Sequence, residues 1–294
     1  MRVISIGEVH WDVFGEEEHL GGAPFNFAAQ LQRLGHEVFF VSAVGEDERG
    51  ERILVRMSAM GLSTEYVSRH DGYPTGLVTV SLSGEGHPTF HIHRPAAYAF
   101  PRLTPAQIKR LLSPPADWMY FGTLMQMSGE ARELTGNLLS GSKQAERFYD
   151  VNLRPQSYDP ALVRELLGEA TVVKLNDAEV PEVATMLGRS QTSPEDFCRS
   201  YPQTFGWKAV CVTTGAHGCV ALIQGEFVKS RGYAVQVTDT VGAGDAFAAA
   251  FVHGLSEGWK PLDVADFANR VGALVSSRRG ALPDWSMDEA RALK

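Results

Sequence analysis

Hydrophobic positions along the chain fall into two alternating periods. Short, nearly continuous apolar runs occur at "RVISIG", "VFFVSAVG", "DWMYFGTL", "RFYDVN", "TVVKLN" and "AVCVTTG", and each except the last is followed by a stretch with helical apolar spacing. Apolar runs of this length read as strands buried on both faces, and their alternation with helices predicts a mostly parallel sheet covered on two sides. The expected fold class is therefore α/β, a three-layer α/β/α sandwich. Near the C-terminus, Gly244–Leu255 and Leu262–Arg279 carry helical spacing, with Pro261 opening the second helix.

One region departs from this rhythm. "TGLVTVSLSGEGHPTFHIHR", Thr75 to Arg94, reads as strand, Gly/Pro turn, strand with period-two alternation. That predicts a small antiparallel insertion, either an edge hairpin or a lid. Alternation puts His91 and His93 on one face and Phe90, Ile92 and Arg94 on the other, with His87 in the turn. Lacking a suitably spaced fourth ligand, the histidine face reads as exposed strand rather than as a zinc site. A second antiparallel stretch, "GCVALIQGEFVKSRGYAVQV", follows "VTTG".

Composition narrows the classes. The chain has 294 residues, 44% hydrophobic and 21% charged, enough for one large domain or two small ones. A net charge of −8 and a pI near 5.6 provide no overall field for nucleic acid or an anionic membrane. Cys198, Cys211 and Cys219 form no C-x-x-C pair and read as apolar filler in a reducing compartment. With no signal-like h-region and no apolar run of membrane-spanning length, the expected location is cytoplasmic.

The chemistry concentrates in "TDTVGAGDAFAAAF", Thr238 to Phe251, which lies between "YAVQVTD", read as a strand, and a helix. Sheets of this class bind ligands beyond the C-terminal ends of their strands. A dinucleotide fingerprint would need glycine where Phe247 stands, and no P-loop string occurs. The remaining reading makes the N–H groups of Val241 to Gly244 an anion hole and Asp245 a general base for phosphoryl transfer to a hydroxyl. Asp245 is equally suited to capping the helix. In "DVNLR", Asp150, Asn152 and Arg154 reach a strand end, and Arg154 suits either bidentate oxygen contacts or a surface salt bridge.

"DTVGAGDAF", preceded in order by "GGAPFNFAAQLQRLG" (Gly21 to Gly35), "VGEDERGE" (Val44 to Glu51), "DVNLRP" and "KLNDAEV", resembles the PfkB, or ribokinase-like, carbohydrate kinase family over essentially the entire chain. The resemblance implies a single ribokinase-like domain, 1–294, with a β-lid inserted from roughly 10–20 and 72–97. It implies transfer of the γ-phosphate of Mg·ATP to a sugar hydroxyl, with Asp245 as base and Gly242, Ala243 and Gly244 as the anion hole. The sugar would be held by Asp12, Asn26, Arg94 and Arg154, and by Gly21 and Gly22, whose missing side chains let it approach the backbone. Asn176, Thr214, Gly215, Gly218 and Asn269, with Gly242 and Gly244, would meet ATP. Glu179 of "NDAE" would serve Mg²⁺, partly through water. Asp239, Val241, Val275, Arg278 and Gly280 would form a K⁺ site.

Within the family, "GGAPFN" most resembles fructokinases, with 2-keto-3-deoxygluconate kinases, ribokinases and nucleoside kinases as alternatives. The acidic residue that fructokinase-like members carry after the residue at Ala97 is replaced here by Tyr98. A different class, a catalytically silent sugar or nucleotide sensor, would be marked by loss of Asp245, Gly242 or Gly244, all of which are present. A homodimer formed lid to lid is the expected assembly.

Overall fold

Successive residues of each apolar run feed two different cores, which is why the runs are hydrophobic without alternation. The computed structural model describes residues 1–82 and 88–294. Its strands are β1 (Arg2–Ile6), β2 (His10–Phe14), β3 (Glu17–Gly21), β4 (Glu37–Gly45), β5 (Val67–His70), β6 (Gly76–Leu82), β7 (Pro88–Ile92), β8 (Trp118–Gly122), β9 (Glu146–Asp150), β10 (Val172–Asn176), β11 (Ala209–Thr213), β12 (Cys219–Ile223) and β13 (Glu226–Ser230). Nine of them form one sheet in the order β13-β12-β11-β10-β9-β8-β1-β4-β5, parallel from β5 to β11 and closed at the other edge by the antiparallel pair β12 and β13.

On one face, Val3, Tyr120, Phe148 and Val172 pack under the helices Ala23–Arg33, Ala243–Ser256 and Pro261–Ser276. On the other, their neighbours Ile4, Phe121, Tyr149 and Val173 pack under Gly129–Gly141, Pro160–Glu169 and Glu179–Met186. Helix starts carry the side chains that free N–H groups call for: Asp47, Asp159 and Ser193 each accept from the first turn of their helices. Cys198, Cys211 and Cys219 are free and buried. Among the described residues no helix is long and apolar enough to cross a membrane.

The remaining four strands make a second sheet, ordered β3-β2-β6-β7. Its two hairpins, β2/β3 and β6/β7, are antiparallel within themselves and joined by parallel pairing of β2 with β6. One face is tied to the helix Glu48–Ala59. There Trp11 Nε1 donates to the Arg49 carbonyl at 3.1 Å, and Glu18 pairs with both Arg49 and Arg52 at 2.6 Å. At the foot of β6, Asp47 accepts from the Thr75 N–H and hydroxyl at 2.8 and 2.6 Å. His91 and His93 are exposed, Ile92 is half-buried, and His93 Nε2 lies 2.7 Å from Thr79 Oγ1. The expectations for His87 and for the Phe90 side chain fall outside the described residues.

One expected strand does not form. "YAVQVTD" has Tyr233 buried and Ala234 exposed but joins no ladder. The chain leaves the sheet after β13 and spends its backbone donors elsewhere: Thr238 and Asp239 N–H both reach the Ser276 carbonyl at the end of Pro261–Ser276. The glycine turn is therefore hung from a helix end rather than from a strand.

Candidate active site

At that turn Gly242 adopts φ +77°, and Ala243 begins a helix running to Ser256. A left-handed residue here is cheap only for glycine, and space demands it too, because a Cβ on Gly242 would lie 2.6 Å from the Ala281 backbone. Val241 N–H donates to Asp239 and Ala243 N–H donates to the Thr240 carbonyl. The anion hole is consequently narrower than Val241 to Gly244. Closing the turn consumes the Val241 and Ala243 donors, leaving Gly242, Gly244 and Asp245 N–H without a protein acceptor among the described residues. They stand at the positive end of the helix.

Asp245 does not cap this helix with its side chain. One carboxylate oxygen, Oδ2, instead accepts from Asn26 Nδ2 at 2.8 Å. Asn26 comes from the first turn of Ala23–Arg33, is 3% exposed and keeps its Oδ1 unpartnered. The pKa of Asp245 is pushed up to about 6, chiefly by burial and also by Asp150, while Asn26, Lys174 and Arg154 pull it back. A carboxylate held by one oxygen, with the other free and an affinity for protons near neutrality, has the properties of a general base.

Beneath Gly244, Lys174 of β10 is buried and places its Nζ 3.0 Å from both oxygens of the fully buried Asp150 on β9. Burial alone would strip the Lys174 charge, but Asp150, Glu179 and Asp245 outweigh it and its pKa is raised. Asn176 and Glu179 form a reciprocal pair: Asn176 Oδ1 accepts from Glu179 N–H at 3.0 Å, and Glu179 Oε2 accepts from Asn176 N–H at 2.8 Å. Glu179 Oε1 accepts from Leu153 N–H at 2.6 Å, so both oxygens already hold backbone donors, and the side chain is 6% exposed.

Asp239 lies behind the turn and accepts from Val241 and Gly280 N–H, both at 3.0 Å. Val275 carbonyl accepts from Arg278 N–H at 3.0 Å, and the Arg278 guanidinium points away to the Asp284 carbonyl and Glu289. The five residues expected around K⁺ are thus brought together as a brace for the turn, with the Asp239 oxygens and the Val275 carbonyl engaged by N–H groups.

The stretch from Glu8 to Gly22 leads into the helix that carries Asn26. Asp12 and His10 are each 9% exposed, with His10 Nδ1 3.4 Å from Asp12 Oδ1. Gly21 and Gly22 do not leave open backbone, contrary to expectation. A Cβ on Gly21 would sit 2.3 Å from the Asp12 carboxylate, and one on Gly22 2.4 Å from the Glu8 carbonyl. Their missing side chains admit this protein's own atoms, because Gly21 lies opposite His10 in the hairpin register. Arg94 is exposed and bound to Ser157 Oγ and, at 3.3 Å, to the Gln156 carbonyl. Exposed Arg154 acts electrostatically on Glu8, His10, Asp12 and Asp245.

The expected nucleotide residues are built mostly of backbone. Thr214 N–H and Oγ1 both donate to the Gly218 carbonyl, at 2.8 and 3.0 Å, closing a small loop whose Gly215 is exposed. Gly218 is sealed against the Ser230 carbonyl. Asn269 is buried with its Nδ2 3.4 Å from both Cys219 Sγ and the Ser230 carbonyl. A cavity of about 570 Å³ lies on the helix-facing side of the small sheet, between Glu18, Arg49, Arg52 and Thr75. Its arginines are already paired with Glu18, and it contains none of the groups above.

The structure adds Glu8, His10 and Lys174 to the site. A lysine inside "TVVKLN" is an anomaly in a strand buried on both faces, and Glu8-x-His10-x-Asp12 is a period-two polar stripe.

Comparison with known proteins agrees in fold and motif. The model of the pfkB family carbohydrate kinases matches residues 3–287. A probable fructokinase-5 of Arabidopsis thaliana is 29% identical over 90% of this chain and 84% of its own length, and a fructokinase of Escherichia coli is 28% identical over 89% and 87%. A crystal structure of a fructokinase from Vibrio cholerae, bound to fructose, ADP and calcium, superposes with a TM-score of 0.83 at 26% identity, covering 99% of this chain and 98% of that one.

Proposed function

From the premise that the chain belongs to the pfkB family of carbohydrate kinases, and so is an ATP-dependent sugar kinase, we propose that Asp245 is its general base and that its acceptor is a ketohexose of the fructose type. One observation carries this reading. Asp245 is turned away from capping its own helix and toward Asn26, beside N–H groups with no acceptor among the described residues. ATP supplies the phosphoryl group. Gly242, Gly244 and the helix start hold the anionic end of the nucleotide, and Asp245 takes the proton of the acceptor hydroxyl as charge builds on the transferring group. Asn26 keeps the carboxylate aimed, and Lys174 beneath the turn offsets negative charge.

The acceptor wall comprises Asp12, Asn26, Arg94 and Arg154. Gly21 and Gly22 let this wall pack closely, and Thr214, Gly215, Gly218, Asn176 and Asn269 frame the nucleotide. Glu179 fits Mg²⁺ through water rather than directly, since its oxygens already accept N–H groups. A monovalent cation would stiffen the brace around Asp239, Val241, Val275, Arg278 and Gly280. We read the four-stranded sheet as a lid over the sugar, with its exposed His91 and His93 face available to a second copy, and the three free buried thiols as suited to the cytoplasm. The fructose assignment leans on the fructokinases named above.

The test is ADP release by the purified protein with fructose, ribose, 2-keto-3-deoxygluconate, tagatose-6-phosphate, fructose-1-phosphate and nucleosides. Fructose should give the highest kcat/KM. Preference for another acceptor overturns the ketohexose assignment, and activity on none of them favours the sensor reading.

A further inference from the structure

Glu8 is a buried carboxyl that phosphoryl transfer does not use. In the stretch Glu8 to Asp12, Val9 and Trp11 enter the core while Glu8, His10 and Asp12 lie between them, at 5, 9 and 9% exposure. Three polar side chains buried in alternation are costly unless each finds partners. Asp12 has His10 beside it and fills the space above Gly21. Glu8 is less satisfied: its own N–H and that of Ala23 face the carboxyl, but Oε2 is buried with no hydrogen-bond partner.

Its place is set by the helix that carries Asn26: Gly22 packs against the Glu8 carbonyl, and Ala23, the first residue of that helix, turns its N–H to the carboxyl. The charged groups acting on Glu8 are Arg154 and Asp245, and Tyr98 and Tyr120 both feel its charge. Glu8 therefore lies beside the helix start from which Asn26 reaches Asp245. Burial pushes its carboxyl up to about 7, so near neutrality it exists both as an acceptor and as a protonated donor. A polyol hydroxyl can partner either form, being donor and acceptor at once.

We propose that Glu8 is a specificity-determining residue whose free oxygen engages a hydroxyl of the acceptor sugar other than the one phosphorylated. The proposal rests on the reading of this region as the sugar side of a kinase. It gives a substrate rule: a sugar bearing that hydroxyl is accepted, and its deoxy analogue leaves Oε2 buried and unpaired. A hydrogen bond to a charged or nearly charged group of this kind corresponds to about 10- to 100-fold in kcat/KM.

The test is a cycle between Glu8→Ala and monodeoxy analogues of the best acceptor. In the wild type, removing one hydroxyl should cost about 10- to 100-fold, and in the variant that removal should cost almost nothing while the other deoxy positions lose the same factors as before. Independent, multiplying losses at every position would overturn the proposal. If the alanine variant fails to fold, Glu8→Met keeps the length without a polar end and completes the cycle. Loss of discrimination at one hydroxyl alone, with the other positions unchanged, is a result that a purely structural role would not produce. If the wild type turns over no sugar, the kinase-substrate reading fails, and the cycle is read on sugar affinity by calorimetry. Absence of any sugar binding overturns both.

Discussion

The two sides of the proposed site are built from different materials. On the side we propose for the acceptor, Glu8, His10, Asp12 and Asn26 are side chains less than a tenth exposed, several with a polar atom unpartnered among the described residues. On the side we propose for the nucleotide, Thr214 and Gly218 close a loop on themselves, Gly215 is exposed, and Asn269 uses its amide internally. Buried, unsatisfied side chains discriminate sharply, because a wrong ligand leaves them unpaired. Backbone loops discriminate little, since every residue type presents the same groups. Selectivity should therefore be concentrated on the sugar and be weak on the base of the nucleotide.

The largest effect that would break this comparison is at Asp245. Asp245→Asn should lower kcat by about 10²- to 10⁴-fold, as loss of a general base does, with ATP affinity by calorimetry nearly unchanged. Retained turnover would end its role as base. Beneath the turn, Lys174→Met strands Asp150 as an unpaired buried charge and should destabilise the fold by about 3–5 kcal/mol in urea titrations. A loss below 1 kcal/mol would show that Asp150 finds another partner. Gly242→Ala must hold φ +77° and clear the Ala281 backbone. We expect about 1–3 kcal/mol from the backbone alone and a lowered affinity for ATP. Thr214→Ala removes one loop hydrogen bond, worth about 1 kcal/mol, and should change KM for ATP by no more than a few-fold. A large change there would erase the contrast between the two sides.

Acidity sharpens the comparison further. As the proposed base, Asp245 would act when ionised, so kcat/KM for the acceptor should fall as pH drops below about 6, its raised value. Stability runs the other way. Because the folded carboxyl binds its proton more tightly than the unfolded one, whose ordinary value is 3.8, its contribution to stability is full below about pH 4 and is lost as pH rises through about 6. Asp245→Asn should flatten both dependences, measured by initial rates and by melting curves across that window.

Most of the fold was legible because burial on two faces writes itself into sequence as unbroken apolar runs. "YAVQVTD" misled because a strand-like run of residues says nothing of a neighbour to pair with. The ordered motifs located Asp245 and Asn26, but their hydrogen bond joins residues 219 positions apart. Lys174 was conspicuous as a charge in a buried strand, yet its partner became visible only through the β9–β10 register, which sets Lys174 opposite Asp150. Gly21 and Gly22 were read as room for a ligand, whereas that room is occupied by Asp12 and by the Glu8 carbonyl. Glu8 and His10 have the spacing of a solvated strand edge, and burial alone distinguishes the two cases.

The helix that begins at the glycine turn has a further consequence. Ala246, Ala248, Ala249 and Ala250 are wholly inaccessible, and the neighbouring helix approaches so closely that a Cβ on Gly272 would lie 3.3 Å from the Ala243 carbonyl. With Phe247 and Phe251 buried and stacked beside these alanines, the rod is locked into a filled core and could slide only by repacking it. In the site we propose it would be the fixed jaw of a vice, and any shortening of the gap between donor and acceptor would fall to the segment from Glu8 to Gly22.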